Sequence, residues 1–220
     1  MMQLLVYGDS LSWGIVPGTR RRLDFSERWP GILEGELLNA GMRVRVIEDS
    51  LNGRRTVWDD PFKPGRNGLA GLEQRIEVNS PLALVVLMLG TNDFQSVHQH
   101  NASHSAQGIA SLVRAIRRAP IEPDMPVPPI LLIAPPRAAT ATGAMVDKFA
   151  GAHEKAEGLS AAFAAVASEM NCAFFDAGRI VTASAIDGVH LDADQHAILG
   201  RQLVRPVTDL LNLRVPASPR

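Results

Sequence analysis

The sequence predicts an α/β protein whose parallel β-sheet is covered by helices on both faces. Five short apolar, strand-like runs alternate along the chain with segments of helical periodicity. Strands that are joined through helices run parallel in one sheet. The third run, residues 82–89, is apolar throughout, as expected of a strand with helices packed against both of its faces.

Residues that end or begin a strand flank these runs. Gly8-Asp9-Ser10 follows the first run, and the turn residues Asn39-Ala40-Gly41 precede the second. Both clusters are typical of chain reversals or loops. The predicted strands are Leu4–Tyr7, Val44–Ile47, Leu82–Leu89, Ile130–Ala134 and Ala173–Phe175.

The segments between the strands have helical periodicity. Apolar residues recur in steps of four and three from Met145 to Met170, which predicts one long helix. A last helix is predicted from Asp192 to Leu211, kinked or divided at Pro206 because proline lacks a backbone donor and clashes with the preceding turn. Shorter helices are predicted over Glu27–Asn39, Leu69–Val78 and Ala106–Arg118.

The chain is predicted to form one domain over residues 1–213. Neither an internal repeat nor a break in composition divides it. Five prolines between positions 120 and 129 predict a stiff loop that leads into the fourth strand. Residues 214–220 are predicted to form a flexible C-terminal tail.

Composition and charge exclude several classes of protein. Of the 220 residues 46% are hydrophobic, so the chain can bury a core. The formal net charge of −1 argues against a mainly electrostatic binder of nucleic acids or membrane surfaces. The single cysteine, Cys172, excludes an intrachain disulfide and a cysteine-rich zinc site. No apolar run approaches the roughly 20 residues that span a bilayer, and no signal-peptide pattern opens the chain, so a cytoplasmic location is predicted.

Residues suited to chemistry follow the predicted strands, where parallel α/β proteins bind their ligands. Ser10 follows the first strand, and a serine hydroxyl becomes a strong nucleophile once a base takes its proton. The alternative is an ordinary turn in which Ser10 caps a helix. The Gly53 N–H and the Asn92 side chain follow the second and third strands and could stabilise an oxyanion. Plain turn or capping roles for both residues stay open.

A candidate base precedes the last helix. Asp187 and His190 are three residues apart across a glycine. One turn of chain could bring the Asp187 carboxylate to Nδ1 of the imidazole and leave Nε2 free for a serine proton. The alternative is a helix start in which Asp187 caps a turn and His190 is merely exposed.

The order of these segments resembles that of the SGNH/GDSL hydrolases, over about residues 2 to 212. The matching segments are Gly8-Asp9-Ser10-Leu11, Gly53, Gly90-Thr91-Asn92-Asp93 and Asp187-x-x-His190. Longer stretches are similar to the bacterial arylesterase/acyltransferase subgroup, which includes perhydrolase-like members. These stretches include Tyr7–Gly14, Val86–Asp93 and Phe174–Gly178.

This resemblance implies a flavodoxin-like three-layer α/β/α sandwich with a five-stranded parallel sheet. It implies hydrolysis of small carboxylic esters without a cofactor or a metal ion. Ser10 would be the nucleophile, His190 the general base and Asp187 its orienting acid. The oxyanion hole would consist of the Ser10 N–H, the Gly53 N–H and the Asn92 side chain. The residues expected to line the substrate pocket are Leu11, Trp13, Phe94 and Val189.

The expected partner is a small-molecule ester, with no nucleic acid or membrane. Because the subgroup commonly forms oligomers, a homo-oligomer with contacts in Trp58–Leu72 is also expected. Two segments depart from the subgroup: Val16–Ser26, which contains Arg20-Arg21-Arg22, and Pro135–Ala144. Oligomer size and acyl-chain preference therefore stay open.

The same segments leave alternatives for the function and for single site residues. An acyltransferase or perhydrolase is suggested by the apolar residues Trp13, Trp58 and Phe94, and a carbohydrate acetylesterase is a further alternative. A noncatalytic binding module on the same fold is a remote alternative. Asp176 competes with Asp187 as the acid, although a turn or cap suits it better. The histidines at 98, 100 and 104 suggest a metal site, but no carboxylate or cysteine lies among them, which favours a solvated loop.

Overall fold

A computed structural model describes residues 1–213, and its centre is a parallel sheet of five strands in the order β2-β1-β3-β4-β5. The strands are β1 Met2–Gly8, β2 Val44–Ser50, β3 Leu84–Met88, β4 Ile130–Ala134 and β5 Ala173–Asp176. All five lie where the sequence predicts them. The tail predicted for 214–220 falls outside the described residues.

Helices cover both faces of this sheet. The helices are α1 Ser10–Trp13, α2 Trp29–Asn39, α3 Leu72–Asn79, α4 Ala102–Arg118, α5 Ala152–Lys155, α6 Leu159–Glu169, α7 Ala193–Gln202 and α8 Val204–Asn212. Helices α3, α4 and α6 pack on one face, and α2, α7 and α8 pack on the other. The predicted three-layer sandwich is confirmed.

Strand β1 shows how the sequence builds two cores. Leu5 and Tyr7 face the layer of α3, α4 and α6, and Leu4 and Val6 face the layer of α2, α7 and α8. Both sets are fully or almost fully buried, and each large apolar side chain removed from water contributes about 1.5–3 kcal/mol. Alternating side chains of one strand therefore hold both helical layers.

The predicted long helix over 145–170 is wrong. The segment contains only α5 and α6 together with a short 3₁₀ helix, Gly143–Met145. Gly151 and Gly158 adopt left-handed backbone conformations, with φ of 71° and 78°, and a left-handed residue cannot continue a right-handed helix. The apolar period still marks the buried side, since Phe149, Leu159 and Phe163 are buried.

The last predicted helix is divided, as expected, but the division is at Leu203 rather than at Pro206. Leu203 ends α7 and precedes α8. Pro206 lies in the first turn of α8, where a missing N–H costs no intrahelical hydrogen bond. The predicted proline-rich loop is confirmed, because residues 120–129 contain neither helix nor strand.

The topology defines where a site can form. Strands β2 and β3 lie on opposite sides of β1, so the chain changes direction across the sheet between β1 and β3. The crevice beyond the carboxyl ends of such strands is the usual ligand site of open α/β sheets. None of the helices described over residues 1–213 is long and apolar enough to cross a bilayer.

Candidate active site

Ser10 lies directly after β1, at the first residue of α1. The preceding residue, Asp9, caps this helix, because its carboxylate accepts a hydrogen bond from the Leu11 N–H at 2.9 Å. The alternative in which Ser10 is the N-cap is therefore wrong. A Cβ on Gly8 would come within 2.3 Å of Ser12 Oγ, so a glycine at position 8 allows the tight passage from strand to helix. The Ser10 side chain is left free to face the carboxyl edge of the sheet.

The three predicted catalytic side chains are in contact. His190 Nε2 lies 3.1 Å from Ser10 Oγ, and His190 Nδ1 lies 2.7 Å from Asp187 Oδ2. All three residues are buried. The alternative in which His190 is merely exposed is therefore wrong, although Ser10 and His190 are 180 positions apart in the chain.

A tight turn holds Asp187 in place. Its Oδ1 accepts hydrogen bonds from the N–H groups of Val189 and His190, each at 2.9 Å. Its Oδ2 accepts a third N–H, from Gly18 at 3.1 Å. Gly188 has φ of 75° and lies so close to Thr140 that a Cβ would come within 2.3 Å of the Thr140 carbonyl oxygen. A glycine is therefore required at this turn.

These contacts define the protonation of the group. Burial alone would raise the pKa of the Asp187 carboxyl, but hydrogen bonds from the His190 side chain and from two backbone N–H groups lower that pKa below its ordinary value. An ionised Asp187 can accept a hydrogen bond from Nδ1–H of His190, and in a neutral imidazole that tautomer leaves Nε2 as the acceptor facing the Ser10 hydroxyl. This orientation is the one that a serine nucleophile requires from its base.

Asn92 and Gly53 lie beside the serine. Together with Ser10 and His190 they line one cavity of about 40 Å³. Gly53, in the loop after β2, has φ of 83°, and its N–H has no acceptor within the described chain. Asn92 belongs to a short 3₁₀ helix after β3, Thr91–Phe94, and is buried.

The NH2 group of the Asn92 amide donates to two neighbours. Its Nδ2 donates to Asp9 Oδ2 at 3.0 Å and to the Arg54 carbonyl oxygen at 3.2 Å. Burial raises the pKa of the Asp9 carboxyl to about 6, so at neutral pH Asp9 is ionised and accepts this bond. An oxyanion at the cavity would therefore share an amide hydrogen that is already oriented by Asp9 or by the Arg54 carbonyl.

The cavity is not lined by the four residues predicted for the substrate pocket. Leu11, Phe94 and Val189 are buried in the two hydrophobic cores. The Arg22 guanidinium lies over Trp13, with Arg22 Cζ 4.7 Å from the centre of the Trp13 ring. The sequence places these residues next to motif residues in the chain, but the side chains of Leu11, Phe94 and Val189 pack in the two cores.

Several charged residues line the cavity instead, although the sequence did not indicate any of them as a pocket residue. The remaining lining residues are Ile15, Arg20, Asn52, Asp60, Lys63, Met145, Lys148 and Phe149. They come from three loops, after α1, after β2 and after β4. Met145 and Phe149 belong to the apolar period that begins at Met145, and Arg20 belongs to a segment that departs from the subgroup, but neither signal indicates a pocket.

The neighbouring carboxylates have structural roles. Asp93 accepts from the Thr56 N–H at 2.9 Å and from the Ser105 hydroxyl at 2.7 Å, which joins the loop after β2 to α4. Asp176 accepts from Gly178 N and caps a 3₁₀ helix over 177–179. The capping role predicted for Asp176 is confirmed.

The three histidines at 98, 100 and 104 pack together. The rings of His98 and His100 stack at 4.8 Å, and Trp58 stacks on His100 at 4.0 Å. His104 Nδ1 accepts from the Asn101 N–H in a helix capping box. Across residues 1–213, no group of three or more His, Cys, Asp or Glu side chains is placed to hold a metal ion.

A parallel α/β sandwich with serine, histidine and aspartate in contact at its carboxyl edge is typical of hydrolases that use a serine nucleophile. Residues 6–198 match the sequence profile of the GDSL-like lipase/acylhydrolase family. Because this match covers most of the chain, the protein belongs to that family.

Known structures and sequences agree with this membership. The inhibitor-bound aryl esterase of M. smegmatis superposes with a TM-score of 0.90 at 32% identity, covering 96% of this chain and 100% of that one. A carbohydrate acetylesterase of Sinorhizobium meliloti gives the same TM-score, identity and coverage. An arylesterase of Vibrio mimicus is 37% identical over 91 residues, which is 41% of this chain and 38% of that relative's length. These similarities indicate a carboxylic-ester hydrolase.

Proposed function

We propose that this protein is a serine esterase that hydrolyses small carboxylic esters through an acyl-enzyme on Ser10. The observation that carries the proposal is the continuous contact from Ser10 Oγ through the His190 ring to Asp187, at 3.1 and 2.7 Å. Each distance is within the reach of proton transfer or of a strong hydrogen bond.

Acylation follows from this geometry. As Ser10 Oγ attacks the ester carbonyl carbon, His190 Nε2 takes the hydroxyl proton. The ionised Asp187 stabilises the imidazolium that forms. The imidazolium then gives its proton to the departing alcohol oxygen, so the carbonyl re-forms as a serine ester. In the second half, His190 takes a proton from water as the water oxygen attacks the acyl carbon. The bond from that carbon to Ser10 Oγ then breaks, His190 returns the proton to Ser10 Oγ, and the carboxylic acid leaves.

The negative charge that develops on the carbonyl oxygen needs donors that are already in place. The Gly53 N–H, which has no other acceptor in the described residues, and the Asn92 amide line the same cavity as Ser10. The backbone N–H of Ser10 is the third donor in the proposal. A single donor of this kind typically contributes about 2.7–4 kcal/mol to transition-state stabilisation.

The size of the cavity favours a short acyl group. About 40 Å³ is space for only a few water-sized groups, which suits an acetyl better than a long chain. The aromatic residues that suggested acyl transfer to an alcohol, Trp13, Trp58 and Phe94, do not line the cavity. Hydrolysis is therefore the activity that the site favours.

The direct test is the turnover of p-nitrophenyl acetate by Ser10→Ala. We expect kcat to fall at least about 10⁴-fold, because removal of a triad member leaves only binding and oxyanion stabilisation. Ser12→Ala is the matched control, since Ser12 is a buried serine two positions away whose hydroxyl has no hydrogen-bond partner among residues 1–213. Unchanged turnover by folded Ser10→Ala would contradict the proposal.

Two further expectations stay predictions. A homo-oligomer with contacts in Trp58–Leu72 is supported by Phe62, an apolar side chain of that segment that is 84% exposed. A second chain placed there would cover Phe62 and narrow the entrance near Ser10. The second expectation that stays a prediction is the cytoplasmic location of the protein.

A further inference from the structure

The cavity of the proposed active site is lined by three cations that have no anionic partner among residues 1–213. Arg20, Lys63 and Lys148 all line the cavity that contains Ser10. None of the three side chains forms an ion pair or a hydrogen bond with another described residue. They come from three separate loops, so no single stretch of the sequence accounts for the cluster.

The acidic residue among them does not neutralise this charge. Asp60 lines the same cavity, but its Oδ2 is paired with the fully buried Arg55 at 2.8 Å. Its Oδ1 accepts hydrogen bonds from the N–H groups of Phe62 and Lys63. The pair of Arg55 and Asp60 is neutral overall, which leaves three uncompensated positive charges at the entrance.

The local charge contrasts with that of the whole chain, which has a formal net charge of −1. Loss of hydration is the first cause that lowers the pKa of both the Lys63 and the Lys148 ammonium groups. Neighbouring cations that include Arg20 lower both pKa values further, and Asp60 acts in the opposite direction on both. The cations are therefore close enough to repel one another. An anion placed between them would relieve that repulsion.

Lys63 and Lys148 also line a larger neighbouring groove of about 540 Å³, whose wall includes the exposed apolar residues Phe62 and Val97. The small cavity therefore suits the acyl half of an ester, and the groove suits a larger alcohol half. Asp147 lies on the wall of the groove but not of the small cavity. A negatively charged group is therefore favoured beside Lys63 and Lys148, which line both spaces, rather than beside Asp147.

We propose that the preferred substrates are esters whose alcohol half carries a negatively charged group, held by Arg20, Lys63 and Lys148. This inference rests on the proposed esterase function and adds the charge class of the substrate. The cations bind the anionic group without touching the reacting atoms, so they determine specificity and leave the chemical steps unchanged.

The test compares two acetates that differ in charge, 4-acetoxybenzoate and the neutral 4-acetoxybenzamide. The measured quantity is the ratio of kcat/KM for the anionic ester to that for the neutral ester. In Lys63→Gln/Lys148→Gln this ratio is expected to fall at least about fivefold. The charge-matched control is Arg114→Gln/Arg205→Gln, two exposed cations on α4 and α8, which should keep the ratio within twofold.

Two further measurements distinguish a loss of charge recognition from misfolding of the variant and from a difference in the intrinsic reactivity of the two esters. Arg20→Gln, on a different loop, should also lower the ratio. Sodium chloride should slow the wild-type protein on the anionic ester more than on the neutral one, because salt screens exposed charges beyond about 10 Å at 0.1 M. If the ratio is unchanged both in Lys63→Gln/Lys148→Gln and in Arg20→Gln, the inference about substrate charge is wrong, while the proposed esterase function still holds. Failure of the wild-type protein to hydrolyse either ester would contradict the proposed function as well.

Discussion

The floor of the site, formed by Ser10, Asn92, Asp187 and His190, and its entrance, formed by Arg20, Lys63 and Lys148, are built differently. On the floor, Ser10, His190 and Asp187 are buried, and each polar group is committed to a partner within the chain. At the entrance, Lys63 and Lys148 are exposed and unpaired among the described residues. A floor that is satisfied internally defines the reaction, whereas an entrance with free charges can select the ester. The two regions should therefore respond differently to substitution.

The largest effect expected in this comparison, after loss of the serine itself, is at Asn92. Asn92→Ala removes the only side-chain donor proposed for the oxyanion. We expect kcat for a neutral ester to fall about 10²–10³-fold with little change in KM, because the interaction forms in the transition state. Steady-state kinetics with p-nitrophenyl acetate measure it. An equal loss through KM alone would place Asn92 in substrate binding instead.

A smaller effect is expected from the turn that carries the proposed base. Gly188→Ala puts a Cβ within 2.3 Å of the Thr140 carbonyl oxygen at a φ of 75°, so the turn has to move. We expect at least about a tenfold loss of kcat, because small displacements of a catalytic group are costly. The loss of stability should be about 1–3 kcal/mol. Denaturant unfolding and ester turnover measure the two effects.

The matched control for this substitution is Gly41→Ala. Gly41 has a similar φ of 80°, but nothing lies within 4 Å of a Cβ built there. The control therefore carries the backbone strain without the clash, and its activity should match that of the unmodified protein. Similar activity losses in both variants would show that the contact with Thr140 is unimportant.

The smallest effect expected is on stability, at a buried histidine behind the floor. His196 of α7 accepts the Trp29 N–H at Nδ1, and burial lowers its pKa from 6.5 to about 4. A histidine with a lowered pKa in the folded state contributes stability above pH 6.5 that is lost as the pH falls towards 4. The expected loss between pH 7 and pH 5 is about 2 kcal/mol.

Comparison with His196→Asn isolates this contribution, because asparagine can accept the same N–H and does not titrate. Urea unfolding at pH 7 and pH 5 should show a weaker pH dependence in the variant by about 2 kcal/mol. Lys63→Gln/Lys148→Gln, at the entrance, should keep the pH dependence of the unmodified protein. Equal pH dependence in His196→Asn and the unmodified protein would contradict the assignment.

The same contrast explains what could be predicted from the sequence. The strands were predictable because buried strands leave continuous apolar runs, as in residues 82–89. The residues of the floor were predictable because Ser10, Asn92 and His190 each lie in a short sequence motif, and the three motifs follow in the order typical of the family. The helix over 145–170 was predicted wrongly, since the apolar period continues across Gly151 and Gly158 while the backbone does not.

The entrance was not predictable from local patterns. Arg20, Lys63 and Lys148 lie on loops far apart in the chain, and only the folded sheet brings those loops together. The four residues predicted for the pocket do not line the cavity, and the reason lies in their local surroundings. Proximity in sequence to a motif residue does not determine the direction of a side chain, and Leu11 next to Ser10 points into the core.

The central claim is that Ser10 forms a covalent acyl-enzyme with the help of His190. Labelling with a fluorophosphonate, followed by mass spectrometry of the peptides, tests it most directly. The account predicts one adduct per chain, located on Ser10 and abolished by Ser10→Ala. Modification of a different residue, or no modification of a preparation that still hydrolyses esters, would contradict it.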